Sequence, residues 1–194
     1  MDLHALFAEI VDYPRPQLES YVQECAVRLR DQSPETAGLL ERFHEFQAGI
    51  PLGKLQEAYT SIFDMQPECT LNLGYQLLGD DWRRSILLFQ LKEIYQARNF
   101  EAGCELPDQL SVVLRFLATA HDSTEGAEIE NDLLVPVLSR MAASIHLGES
   151  PYRWILQALL AWLGESRKAI EPGSANRDRE RVPNATVTEE EPVP

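Results

Sequence analysis

Residues 51–64 read PLGKLQEAYTSIFD, and this stretch decides the fold. Leu52, Leu55, Tyr59, Ile62 and Phe63 follow one another at intervals of three, four, three and one. At 3.6 residues per turn those intervals put all five on one side of a helix, behind a Pro51 that needs no amide donor. The same period recurs upstream. Leu3, Leu6, Phe7 and Ile10 form a stripe that ends near Tyr13-Pro14, and Leu18, Val22, Cys25 and Leu29 form a second. Ser33-Pro34 is a helix start, a hydroxyl cap followed by proline, with Leu39, Leu40, Phe43 and Phe46 as the inward face.

Downstream, Pro67 breaks the helix and a short apolar piece, Leu71 to Leu78, ends at Gly79. Asp80 and Asp81 cap a long helix that carries Ile86, Leu87, Leu91, Ile94 and Tyr95. Pro107-Asp108 starts another, with Asp108 as its cap and Leu110, Val113, Leu114 and Leu117 inward. Ile129 to Leu147 is periodic through Met141 and Ile145, but Pro136 lies inside it and predicts a kink or break. Ser150-Pro151 repeats the cap-plus-proline signal ahead of Trp154, Ile155, Leu159, Trp162 and Leu163. No segment alternates as a strand does. The expectation is an all-α, single-domain bundle of roughly eight to ten helices. It spans 1–165, and 166–194 follow as a flexible tail rich in proline and charge.

The chain has 194 residues, so one domain accounts for it. Seventeen basic residues stand against 31 acidic ones, a formal net charge of -14. Phosphate binding needs clustered Lys and Arg, so the balance argues against nucleic acid and against an anionic membrane surface. It favours a basic partner. The charges of 166–194 nearly cancel, which leaves the acidity to the folded part. Cys25, Cys69 and Cys104 are too few and too scattered for a disulfide framework and read as buried, reduced thiols. The chain opens Met1-Asp2-Leu3-His4, without the pattern of a signal peptide. The apolar run Trp154 to Leu163 is too short to span a bilayer. A soluble, cytoplasmic protein is expected, with no membrane insertion.

Catalytic motifs are mostly absent. Gly74 and Gly79 lack a following Gly-Lys-Ser/Thr, no CxxC or HExxH occurs, and His4, His44, His121 and His146 are far apart. Adjacent helical residues point about 100° apart, so Asp80 and Asp81 do not share a proton as a catalytic dyad must. They cap a helix, or form an acidic lip for a basic ligand, and the two roles are compatible because a cap leaves one carboxylate oxygen free. The stretch from Glu68 to Arg84, ECTLNLGYQLLGDDWRR, mixes aromatics, glycines and both charge signs. Tyr75 and Trp82 there are either core or part of a groove that takes an apolar, basic helix.

The segment AYTSIFDMQPECTLNLGYQLLGDDWRR (58–84), followed by ELPDQLSVVLRFLA (105–118), resembles the nitrate reductase molybdenum-cofactor assembly chaperones of NarJ type. These belong to the all-helical superfamily of redox-enzyme maturation chaperones that includes TorD and DmsD. Tyr59, Phe63 and Asp64 fit a Y-x-x-x-F-D helix end. Gly79, Asp80 and Arg84 fit G-(E/D)-x-x-x-R, and Glu105, Leu106, Pro107, Asp108 and Leu110 fit E-L-P-D-x-L. The similarity is strongest over about 51–120 and absent from the tail. Gln109 and Ser85 stand where family members often have His and Gly.

The resemblance implies a private cytoplasmic chaperone, not an enzyme. Such a protein binds the basic, amphipathic N-terminal segment of an apo molybdoenzyme catalytic subunit, foremost the nitrate reductase alpha subunit. It keeps that subunit competent for molybdenum cofactor insertion and holds no cofactor stably itself. The same fold could serve a dimethyl sulfoxide, selenate or chlorate reductase. A metal-dependent hydrolase built on Asp80, Asp81 and Asp108 is the enzyme alternative, and no ligand spacing favours it. On the chaperone reading, Tyr59, Phe63, Tyr75 and Trp82 receive the apolar face of the segment. Glu68, Asp80, Asp81 and Asp108 attract its Lys and Arg, Arg84 braces the carboxylates, and Pro107 belongs to the same partner-binding set. Oligomeric state is left open.

Overall fold

The first stripe folds as α1, Leu3–Val11, whose N-cap Asp2 accepts the His4 amide at 2.8 Å. Leu6, Phe7 and Ile10 are fully buried along it. The computed structural model describes residues 1–66, 69–143 and 150–170, with side chains as far as 166. Helix α2, Leu18–Leu29, buries Leu18, Val22, Cys25 and Leu29 as its period requires. Helix α3 is Pro34–Gln47. Its start is where Ser33-Pro34 puts it, but the Ser33 hydroxyl donates to Thr36 Oγ1 at 2.6 Å and does not cap a helix amide. Both residues are buried, and the hydroxyls satisfy one another.

Helix α4, Leu52–Tyr59, continues without a break into a π turn, Thr60–Asp64, where the Met65 amide reaches back to the Thr60 carbonyl. Helix α5 is Leu73–Leu78, closed by Gly79 at φ 67°, and α6 is Trp82–Ala97. Helix α7 is Leu110–Ala120, and α8 is Thr124–Glu128. A second π turn, Ile129–Leu134, leads into α9, Val135–Ala142. The break predicted at Pro136 takes this form. Proline offers no N–H to the preceding turn and its ring crowds the carbonyl four residues back. Just ahead of it, the Val135 amide bonds to the Glu130 carbonyl, five residues back, and widens the turn. The continuation to Ile145 and Leu147 lies outside the described residues.

Helix α10, Tyr152–Ile170, begins beside Ser150, whose hydroxyl accepts the Tyr152 amide at 3.2 Å. It runs past the change of composition at Gly164, so residues 166–170, which composition assigns to the tail, are helical; 171–194 lie outside the described residues. Counting each π-interrupted run as one rod gives nine helices among the described residues, an all-α bundle as the periodicity predicts. Among the described residues no strand forms, only one antiparallel bridge between Asn72 and Gln109. None of these helices is long and apolar enough to cross a membrane.

Helix α1 packs between α7 and α2, α2 lies on α3, and α3 lies on α10, which also touches α9. Tyr59, Phe63 and Tyr152 form an aromatic cluster in the centre, with ring centroids 4.9 to 5.7 Å apart. Such pairs add about 0.5–1.5 kcal/mol each beyond their burial. The Tyr59 hydroxyl donates to the Val11 carbonyl at 3.1 Å, and that of Tyr152 to the Leu55 carbonyl at 3.1 Å. Tyr59 and Phe63 are therefore core residues, each 4% exposed, and not the ligand platform expected of them. Their stripe faces inward because α4 must bury one side against α1 and α10.

Candidate functional site

The bridge between Asn72 and Gln109 draws two distant loops together. The Leu73 amide donates to the Asp108 carbonyl at 2.8 Å, and the Leu110 amide to the Leu71 carbonyl at 2.9 Å. This places Asp108 beside α6. Arg84 takes its carboxylate in two hydrogen bonds, Nε to Oδ2 at 3.1 Å and Nη2 to Oδ1 at 3.4 Å. Asp108 is wholly buried, and the Arg84 side chain is 19% exposed. A buried carboxylate needs such a partner. Asp108 is thus neither the cap of α7 nor part of an acidic lip. Gln109 is the cap, its Oε1 accepting the Leu110 amide at 3.1 Å.

Other expected site residues gather around this pair. The Tyr75 ring lies 5.6 Å from the Arg84 guanidinium carbon, within cation–π range. Pro107 is buried, and its carbonyl accepts the Tyr95 hydroxyl at 2.9 Å. Burial, then the neighbouring Asp108, raises that hydroxyl above the usual tyrosine range. Arg84 braces Asp108 as expected, so the cluster is an anchor that fixes α5 against α6 and α7. Glu68 lies outside the described residues.

The surface beside the anchor is apolar and acidic. Asp81 is the N-cap of α6, accepting the Arg83 amide at 2.8 Å and the Arg83 Nε at 3.0 Å. Side-chain and backbone hydrogen bonds from Arg83 hold its carboxyl below the usual range. Asp80 is exposed and does not cap. Trp82 is 71% exposed, which settles its two readings against the core. With Ile86 and Phe89, also exposed, it forms an outward stripe at spacings of four and three. Leu91 and Tyr95 on the opposite face are buried, so α6 is apolar on two sides.

Next to that stripe a cavity of about 510 Å³ opens between α6 and the α8–π run. Leu77, Leu87, Leu91, Ile94, Ile129 and Leu133 line its apolar part. Glu93, Glu128 and Asp132 stand exposed at its edge, and no Lys or Arg among the described residues lines it. Sequence reasoning missed the far wall. The signal was present, since Glu128 and Asp132 are four apart on one helical face, but their approach to α6 depends on tertiary packing.

Among the described residues no group of three His, Cys, Asp or Glu is placed to hold a metal. Of the carboxylates proposed for a hydrolase, Asp81 is engaged by Arg83 and Asp108 is enclosed with Arg84. Cys25 and Cys69 are buried as expected, whereas Cys104 is exposed. Burial pushes the Cys25 thiol up to about 12.

Comparison with known proteins agrees with the motifs. The sequence pattern of the nitrate reductase delta subunit family matches residues 29–153, a span that holds both the Arg84–Asp108 pair and the groove. The "probable nitrate reductase molybdenum cofactor assembly chaperone NarJ" of Bacillus subtilis (strain 168) is 30% identical over 125 residues. That alignment takes in 64% of this chain and 67% of the relative. The extent of the family match, joined to two motifs that meet in the Arg84–Asp108 anchor, places this chain in the nitrate reductase delta subunit family.

Proposed function

We propose that the protein is an assembly chaperone for nitrate reductase and binds the N-terminal segment of the apo catalytic subunit as a basic amphipathic helix. The observation that carries this reading is the groove between α6 and the α8–π run, apolar inside and acidic at its edge. Such a helix would lay its apolar side on Leu77, Leu87 and Ile94, with Trp82, Ile86 and Phe89 as a flanking ridge. Burial at about 25 cal/mol per Å² supplies most of the affinity. Glu93, Glu128, Asp132 and Asp80 steer the encounter and select a basic client. The chaperone has no catalytic step of its own; it holds the client in the cytoplasm until the molybdenum cofactor has entered it. The cofactor is cargo for the client and not a resident group here.

The test is calorimetric titration of the protein with synthetic N-terminal peptides from nitrate, dimethyl sulfoxide, selenate and chlorate reductase catalytic subunits. The nitrate reductase peptide should bind tightest, and raising salt should weaken it by screening the acidic edge. Leu77→Asp and Asp132→Lys should each reduce affinity by about tenfold or more, with melting temperature little changed. Undiminished binding in both variants would remove the groove from the reading. Preference for another client peptide would redirect the assignment to that enzyme.

A further inference from the structure

His4 opens α1 and His121 follows α7, yet their rings stack with centroids 5.4 Å apart. Trp162 of α10 meets His4 edge-on at 4.6 Å. These rings wall a second cavity of about 460 Å³, on the other side of the α8–π run from the groove. That volume suits a small ligand. Three carboxylates, Asp2, Asp122 and Glu130, line it, and no Lys or Arg among the described residues does.

The hydrogen bonding inside is incomplete. His4 is 6% exposed, and its Nδ1 lies 3.1 Å from Asp2 Oδ1. A carboxylate only accepts, so Nδ1 carries the proton shared with Asp2. Nε2 is buried without a hydrogen-bond partner, and the nearest charged atom is Glu130 Oε2 at 3.6 Å. That separation is too long for a hydrogen bond, so the buried Nε2 and the Glu130 carboxylate stand open to a ligand between them. His121 does not fill that place, since its Nδ1 is directed to the Leu117 carbonyl at 3.2 Å and its Nε2 to Asp122 at 3.3 Å.

We propose that this cavity binds an organic cation, an ammonium or guanidinium group, set against Glu130 and Asp2 with the aromatic rings at its flank. Such a group supplies hydrogen-bond donors and positive charge together, and cations favour aromatic walls. The carboxylates and imidazoles are not gathered closely enough for a bare metal ion, which favours a ligand with a body that spans them. The head group belongs either to a free amine or to a Lys or Arg side chain of a bound polypeptide. The inference does not rest on the groove, because Glu130 and Asp132 line different cavities.

The test is NMR titration of the full chain, observing the His4 and His121 ring signals and the Trp162 indole. The probes are agmatine, spermidine and a short Arg-rich peptide, all at constant pH. Saturable shifts of all three signals are expected, weakened by about tenfold or more in Glu130→Gln. Asp132→Lys should leave the free-amine shifts intact. Response to the free amines assigns the site to a free amine, and response to the peptide alone assigns it to a side chain. Asp122→Asn provides a second variant should Glu130→Gln unfold the protein. No shift with any probe, or shifts that survive loss of the carboxylates, would overturn the proposal. Signals that move only with pH would show that a proton alone fills the gap, and would overturn it too.

Discussion

A Cβ placed on Gly74 would stand 2.7 Å from Oδ2 of Asp108 and 3.0 Å from Cδ2 of Leu87. Helix α5 therefore lies directly on a buried carboxylate, with no side chain between. Gly74→Ala should push that carboxylate away from Arg84 and cost about 1–3 kcal/mol, the usual range for overpacking. Urea unfolding would measure the loss, and peptide affinity should fall with it because Leu77 rides on the same helix.

Asp108→Asn keeps the volume and removes the charge. Arg84 would then lack its partner, and because its side chain is only 19% exposed the loss should reach about 3 kcal/mol. An unfolding midpoint within error of the parent would show that Arg84 swings to solvent at no cost.

Gly126 is tighter still: a Cβ there would lie 2.0 Å from the Ala120 carbonyl oxygen. The turn is drawn in by Ser123, whose hydroxyl donates to the Ala120 carbonyl at 2.7 Å and accepts the Gly126 amide at 3.0 Å. Gly126→Ala should cost about 3 kcal/mol, and Ser123→Ala, which removes the cap and the bond to Ala120 but leaves the turn unobstructed, about 1 kcal/mol. Thermal melts of the two variants side by side test that order.

The aromatic residues divide by exposure. Phe63→Ala should lose about 3–5 kcal/mol of stability, because Phe63 is buried against Tyr59 and Tyr152. Phe89→Ser and Trp82→Ala should change stability by only about 0.5 kcal/mol, while weakening capture of the basic peptide. A reversed pattern, stable Phe63→Ala and unfolded Trp82→Ala, would contradict the packing described.

High pH should unfold the protein cooperatively. Burial raises the Cys25 thiol to about 12 and lifts the Tyr59, Tyr95 and Tyr152 hydroxyls above their usual range. In the unfolded chain these groups ionise near about 9 and 10. Their contribution is complete below that range and is lost as pH rises beyond it, because the unfolded state sheds protons that the folded state keeps. The melting temperature should fall from about pH 9 upward, with buried tyrosines ionising on unfolding. At pH 8 a thiol reagent should modify Cys104 first, with Cys25 and Cys69 reacting after denaturant is added.

The helices were legible because a period of 3.6 needs only local spacing, as Leu6, Val22, Leu114 and Leu159 illustrate by being fully buried. The anchor was half legible. The motifs contain Arg84 and Asp108, but their pairing across 24 positions depends on the bridge at Asn72 and Gln109. Asp108 after proline imitates a cap in sequence, and only its burial shows otherwise. Helix α6 defeated the period itself. Ile86 fits the inward series with Leu87 and Leu91 but is exposed, since apolar residues occupy both faces. Tyr59 and Phe63 were misread for the converse reason: they lie in a family motif, yet aromatic residues there serve the core.

A turn closed between residues five apart contains one residue more than an α turn. Ile129–Leu134, set between α8 and α9, is in that sense a single-residue insertion held inside a continuous helix, whereas Thr60–Asp64 closes the end of its rod. A relative with a regular helix in place of Ile129–Leu134 should align with a one-residue gap there. Removing one residue from 129–134 would turn everything on one side of the cut by about 100° relative to the other. A cut between Glu130 and Asp132 would leave one of them at its cavity and carry the other out of register, so the two acidic linings are keyed to each other through the length of this turn.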